Sequence, residues 1–124
     1  MQNILYIALG GIIGTICRYA VSGASLYLSN SSFPLGTFIV NITGSFIIGF
    51  LWVVISPENI SPQIRNMIFI GLLGSFTTFS SYALESLKLA QSGNYALALV
   101  YIIGSNVIGL LLVFLGYSLA KAIN

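Results

Sequence analysis

Three observations predict an all-α membrane protein of four spanning helices, the third broken near its middle. Only 5% of the 124 residues are charged and 57% are hydrophobic, whereas about a quarter of a soluble domain is charged. The apolar residues fall into four runs, roughly 4–28, 35–55, 63–89 and 95–120, each long enough to cross a bilayer as a helix. The third run carries Gly74-Ser75-Phe76-Thr77-Thr78-Phe79-Ser80-Ser81-Tyr82, with five serine and threonine hydroxyls in apolar surroundings. Hydroxyls at this density compete for helical carbonyls, and Gly74 supplies a backbone free to leave helical geometry, so the break is expected at this stretch. Broken backbone at membrane depth persists only where it lines a cavity or is buried in protein. The stretch is therefore the expected centre of an ion or solute site in a single domain covering 1–124.

Composition excludes several classes of function. The net charge of +2 is spread over Arg18, Arg65, Lys88 and Lys121 against Glu58 and Glu85, so no basic cluster addresses nucleic acid. The lone Cys17 cannot form an internal disulfide and reads as a small packing residue, which leaves the redox compartment open. With no His and two separated carboxylates, the usual zinc ligand sets and catalytic triads are missing. An enzyme is not expected.

The first run is too long for the apolar core of a signal peptide and has no basic start, so it reads as a retained span. Gly10 and Gly14 form a small-xxx-small face suited to close helix packing. Arg18, a cation one or two turns from the end of the helix, must snorkel, pair or face water. Snorkelling beside Tyr19 and drawing an anion into a vestibule are both open to it. Asn30-Ser31-Ser32-Phe33-Pro34 has turn chemistry. In the second run Asn41, Ser45 and Gly49 follow at four-residue steps and share one face. Asn41 there suits either an interhelical hydrogen bond or donation to an anion. The glycosylation sequon at Asn41 is set aside because it falls within the bilayer, and Trp52 reads as an interface anchor.

Ser56-Pro57-Glu58-Asn59-Ile60-Ser61-Pro62 connects to the third run, with Ser61 as N-cap and Pro62 in the first turn. Near the end of that run, Glu85 and Lys88 are placed for an i,i+3 surface pair. Alternatively, Glu85 supports the break by accepting hydrogen bonds from freed backbone or hydroxyl groups. Gln91-Ser92-Gly93-Asn94 is the last turn. The fourth run has Tyr95 and Tyr117 near its ends, as interface residues, and a stripe of Tyr101, Ser105 and Gly109 with Asn106 beside it. Polar stripes on two helices glue a bundle together or, with a broken third helix, line a path.

Four spans put both termini on one side. Arg65 and Lys121 then face Lys88 and a snorkelled Arg18, so positive charge selects no orientation. Such a chain can insert both ways and pair as an antiparallel, dual-topology dimer with its two-fold axis in the membrane plane, or take a partner of complementary bias.

The motifs Gly10-Gly11 with Gly14, Arg18-Tyr19, Pro34-Leu35-Gly36-Thr37, Val40-Asn41, Gly44-Ser45-Phe46, and Gly74 to Tyr82 with Glu85 run in order along nearly the whole chain. Together they resemble the CrcB, or Fluc, fluoride channels. That resemblance implies an antiparallel homodimer in a bacterial inner or plasma membrane, with two fluoride pathways. It also implies a structural sodium ion on the axis, held by the backbone carbonyls of Gly74 and Thr77. The pathway it implies runs along Phe79 and Tyr82, with Ser80, Asn41, Tyr101 and Ser105 as donors and Arg18 and Glu85 as vestibule or support. Tyr82 departs from the family's second phenylalanine, and Gly109 stands where the family often carries a hydroxyl. The implied role is passive export of fluoride, which lowers its toxicity. Two rivals are a small multidrug-type dual-topology transporter, which wants a carboxylate deep in the first helix, and a structural subunit whose polar stripes are only glue. The first helix here carries Arg18 and no acid.

Overall fold

The computed structural model describes residues 2–28, 31–55 and 60–124, all in helices or short connections. The single helices are α1 (Gln2–Leu28), α2 (Leu35–Val54) and α6 (Tyr95–Ile123). The third span, Pro62–Gln91, is assembled from α3 (Pro62–Asn66), a π-helical segment (Met67–Leu73), α4 (Gly74–Phe76) and α5 (Phe79–Gln91). All four spans are long and apolar enough to cross a membrane, as their sequence predicts. The expected turn residues Asn30 and 56–59, Glu58 among them, lie outside the described residues.

Local chemistry sets the element ends. Ser61 caps α3 by accepting from the Ile64 amide at 3.4 Å with Pro62 in the first turn, the predicted arrangement. After α5, Gly93 takes a φ of 80°, which lets the Asn94 amide reach the Leu89 carbonyl and the Gly93 amide reach that of Ala90, each at 3.0 Å. This double closure stops the helix and turns the chain directly into α6. Only a residue without a Cβ takes that φ cheaply.

Small residues decide which helices pack. A Cβ on Gly10 would run into the Met67 carbonyl and one on Gly14 into the Leu72 carbonyl, so α1 lies directly on the π-helical segment and parallel to it. This is the close packing expected of that glycine pair. Gly49 in the same way sits on the Val113 carbonyl and Gly116 on the Phe46 carbonyl, which places α2 parallel to α6. Successive spans therefore alternate in direction. Leu89, Ala98 and Tyr101 form a buried cluster with Phe33, Phe38, Tyr82 and Leu97 around it, binding α5 to α6 at one end of the bundle. The outward faces carry exposed apolar residues such as Ile4 and Phe114, as lipid contact requires.

The third span breaks in the predicted stretch, although Gly74 is not where it leaves the helix. Gly74 keeps helical dihedrals (φ −63°, ψ −32°), and the extended residues are Thr77 (φ −82°, ψ 159°) and Thr78 (φ −151°, ψ 117°). β-Branched side chains favour extended backbone, so the threonines open the helix and glycine is not needed for it. α1 runs to Leu28, the end expected of the first run, and Arg18 lies between two and three turns before it.

Candidate functional site

The break would leave backbone groups unpaired, and a side chain from α2 takes them up. The Thr78 amide donates to Asn41 Oδ1 at 2.8 Å, and Asn41 Nδ2 donates back to the Thr78 carbonyl at 3.0 Å. The interhelical bond open to Asn41 is thus made to main chain, and one amide N–H of Asn41 is left over. Thr77 Oγ1 donates to the Leu73 carbonyl at 3.0 Å, the competition for helical carbonyls that the hydroxyl density predicts.

This rewiring strips two carbonyls of their helical donors. In a continuous helix the Thr78 amide would reach the Gly74 carbonyl, but it goes to Asn41. The Ser81 amide would reach the Thr77 carbonyl, but it goes to Thr78 Oγ1 at 3.2 Å, the N-cap of α5. The break therefore leaves the carbonyls of Gly74 and Thr77 without their helical donors beside the first turn of α5.

Beside the break lies a cavity of about 400 Å³ between α2, the third span and α6. Asn41, Ser45, Thr77, Thr78, Ser105 and Asn106 supply its polar lining, and Phe79 and Tyr82 contribute rings. Among the described residues no lysine or arginine lines it. Ser105 Oγ is buried without a hydrogen-bond partner. A hydroxyl in that position usually bonds back to its own helix or to a ligand. The Phe79 and Tyr82 rings are 5.5 Å apart, sharing a face as their spacing predicts, and Tyr101 follows 5.4 Å beyond Tyr82. The Tyr82 hydroxyl accepts from Asn106 Nδ2 at 2.8 Å.

Towards the end where α5 meets α6, Glu85 bonds two hydroxyls outside the break and not Lys88. Thr37 donates to Oε1 and Tyr101 to Oε2, both at 2.8 Å. One carboxylate thus ties α2, α5 and α6 together. Beyond it a second cavity of about 350 Å³, lined by Tyr19, Ser22, Ser25, Thr37 and Glu85, opens beside α1. Thr37 and Glu85 of the Thr37–Glu85–Tyr101 group line the smaller cavity, and Tyr101 packs 5.4 Å from Tyr82 of the larger.

All but two of the expected residues fall into three places. Asn41, Phe79, Tyr82 and Ser105 line the larger cavity with Gly74 and Thr77, and Glu85 lines the smaller. Tyr101 is fully buried at the junction. Ser80 and Arg18 line neither, Ser80 lying 3.4 Å from Thr78 Oγ1 and Arg18 half-buried in α1. Thr37 and Thr78 are functional candidates that the sequence pattern did not single out, and Asn106, noted beside the stripe of the fourth run, joins them. Thr37 and Thr78, at 7% and 8% exposure, are polar groups buried in the bundle.

The family described as CrcB-like protein, Camphor Resistance (CrcB), matches residues 5–117. The chain belongs to the CrcB-like family. A relative from Parabacteroides distasonis is 42% identical over 123 residues, covering 99% of this chain and 96% of the relative. Others from Methylobacillus flagellatus (46%, covering 98% and 96%) and Nitrosococcus oceani (39%, covering 98% of each) align over similar lengths. All three bear the name fluoride-specific ion channel FluC, a transport activity and not an enzymatic one. In this CrcB-like chain the break, its Asn41 clasp and the flanking cavities all fall inside the matched residues.

Proposed function

We propose that this chain is a fluoride-selective channel in a bacterial inner or plasma membrane, passively exporting fluoride from the cytoplasm. Its relatives' name supports the substrate. The observation that carries the reading is the larger cavity's lining of neutral polar side chains and aromatic rings with, among the described residues, no cation. Fluoride is small, strongly hydrated and a strong acceptor, so a selective path must replace its water while holding it loosely enough to release it. The uncommitted Ser105 hydroxyl, the spare Asn41 N–H and the first amides of α5 offer dipoles of donor sign. The positive edges of the Phe79 and Tyr82 rings add to them. A lysine or arginine at the same depth would trap the ion. Tyr101 and Thr37 donate to Glu85 and would have to turn from it to meet the anion on its way to the smaller cavity, and Arg18 attracts the anion from α1.

The working unit in this reading is an antiparallel homodimer with two pathways. Phe79 is 78% exposed on the single chain, and the glycine whose carbonyl lost its helical donor is also exposed. An aromatic so placed at the break gains cover from a second copy. Among the described residues no group of His, Cys, Asp and Glu could hold a metal. The Gly74 and Thr77 carbonyls, released from helical bonding, are hard oxygen donors suited to sodium. They would hold a structural sodium ion between the copies, where its charge fixes the dimer centre and takes no part in transport.

Fluoride efflux from liposomes containing the purified chain, read with a fluoride electrode beside chloride-loaded vesicles, tests the proposal. Passive efflux of fluoride but not chloride, reduced by Phe79→Ala, is the expected result. Folded protein that passes neither ion, or both equally, overturns it.

A further inference from the structure

The Tyr82 hydroxyl is held by a residue that the channel reading does not use. Asn106 Nδ2 lies 2.8 Å from the Tyr82 hydroxyl oxygen and 2.8 Å from the Ile102 carbonyl. A carbonyl can only accept, so the amide group near it must be the NH₂, and both of its N–H groups are donating. The Tyr82 oxygen is therefore an acceptor from Asn106, and its own proton needs another partner. Among the described residues its partner is the same Ile102 carbonyl at 3.5 Å, a long and weak bond that a stronger acceptor can displace. Tyr82 and Asn106 both line the larger cavity. We propose that Asn106 is a positioning residue that fixes the Tyr82 phenol and leaves its proton directed to the permeating anion, making the pair an added fluoride donor beside the ring edges.

The inference rests on the fluoride-channel reading and deepens it. A phenylalanine at this position offers a ring edge alone, whereas Tyr82 with Asn106 behind it offers an O–H polarised by the bond it accepts. A hydrogen bond to an ion favours fluoride, the stronger acceptor, over chloride. It raises occupancy of the site more than speed of passage, because a tighter hold also slows release.

The test measures fluoride efflux against fluoride concentration, together with chloride efflux, for the wild-type chain, Tyr82→Phe, Asn106→Leu, Asn106→Ser and the Tyr82→Phe/Asn106→Leu double variant. Serine can still bond back to the Ile102 carbonyl but cannot reach Tyr82, so it separates helix support from positioning. All four variants are expected to raise the half-saturating fluoride concentration by about tenfold, the effect of one hydrogen bond to an ion. Maximal flux should stay the same or rise, and the double variant should be no worse than either single one. If Asn106→Ser saturates like the wild type, or Tyr82→Phe leaves half-saturation unchanged, the inference is overturned while the channel reading stands. If the wild-type chain passes no fluoride, both fall together, an outcome distinct from the first.

Discussion

Asn41 makes both of its contacts with the main chain of Thr78, so its replacement does two things at once. Asn41→Ala leaves an amide and a carbonyl unpaired at membrane depth, and a loss of about 1–3 kcal/mol is expected, read as a lowered unfolding midpoint in denaturant. Flux should fall with it, which makes this variant a poor judge between a channel and a structural subunit. Phe79 is the better probe: it has no hydrogen bond to lose, so Phe79→Ala should lower the midpoint less than Asn41→Ala and still lose flux. Glu85 allows a graded test. Glu85→Gln keeps one acceptor for Thr37 or Tyr101, and Glu85→Ala keeps none. The unfolding midpoint should therefore drop less for glutamine than for alanine, by roughly half if the two hydrogen bonds contribute alike. A polar residue at depth was legible for Asn41, but its partner was not, because that depends on which residue leaves the helix. For Glu85, the sequence spacing allowed Lys88 equally with the hydroxyls, and only the packing of α2 and α6 against α5 decides between them.

At the scale of the element, the four spans could be read directly because hydropathy alone defines them, as could the Gly10/Gly14 contact, because close approach needs small residues. The break was legible as a stretch but not as a residue. Gly74 has the freer backbone, yet the extended dihedrals belong to Thr77 and Thr78, whose freed groups find Asn41 and a cap. The π-helical turn at Met67–Leu73 has no signature in the apolar pattern. It lies where α1 comes closest, with Gly71 against the Ile7 carbonyl, so tertiary packing decides it. The facing stripes of α2 and α6 give a paired prediction. A Cβ on Gly109 would sit 3.5 Å from Ser45 Oγ, an ordinary contact, whereas one on Gly116 would strike the Phe46 carbonyl. Gly109→Ser should leave the unfolding midpoint unchanged and add a hydroxyl to the cavity wall. Gly116→Val must push α6 off α2 and should cost about 1–3 kcal/mol or more, measured by the same denaturant series.

For the whole molecule, orientation is the property on which the dimer reading depends. The loop between α5 and α6 and the two termini lie on opposite sides of the bundle, and Arg65 and Lys121 at one end face Lys88 and Arg18 towards the other. Arg65 stacks over Trp52 at 5.2 Å and Lys121 over Tyr117 at 5.7 Å, which holds these cations at their interface but does not add to the count on either side. With equal counts, insertion should divide between the two orientations, as an antiparallel homodimer requires. A Cys17→Ser chain with Ser92→Cys at the exposed loop tip reports this by labelling with a membrane-impermeant thiol reagent from outside intact cells. About half of the chains should label if the bias is balanced, and nearly all or none if one orientation wins. Adding Lys at Asn94 in the same loop should then shift the labelled fraction towards the orientation that keeps the loop cytoplasmic. Fluoride flux should fall as antiparallel partners become scarce and return when a chain of opposite bias is co-expressed. Flux that ignores the shift would mean that a single orientation suffices, and the antiparallel dimer would have to be given up.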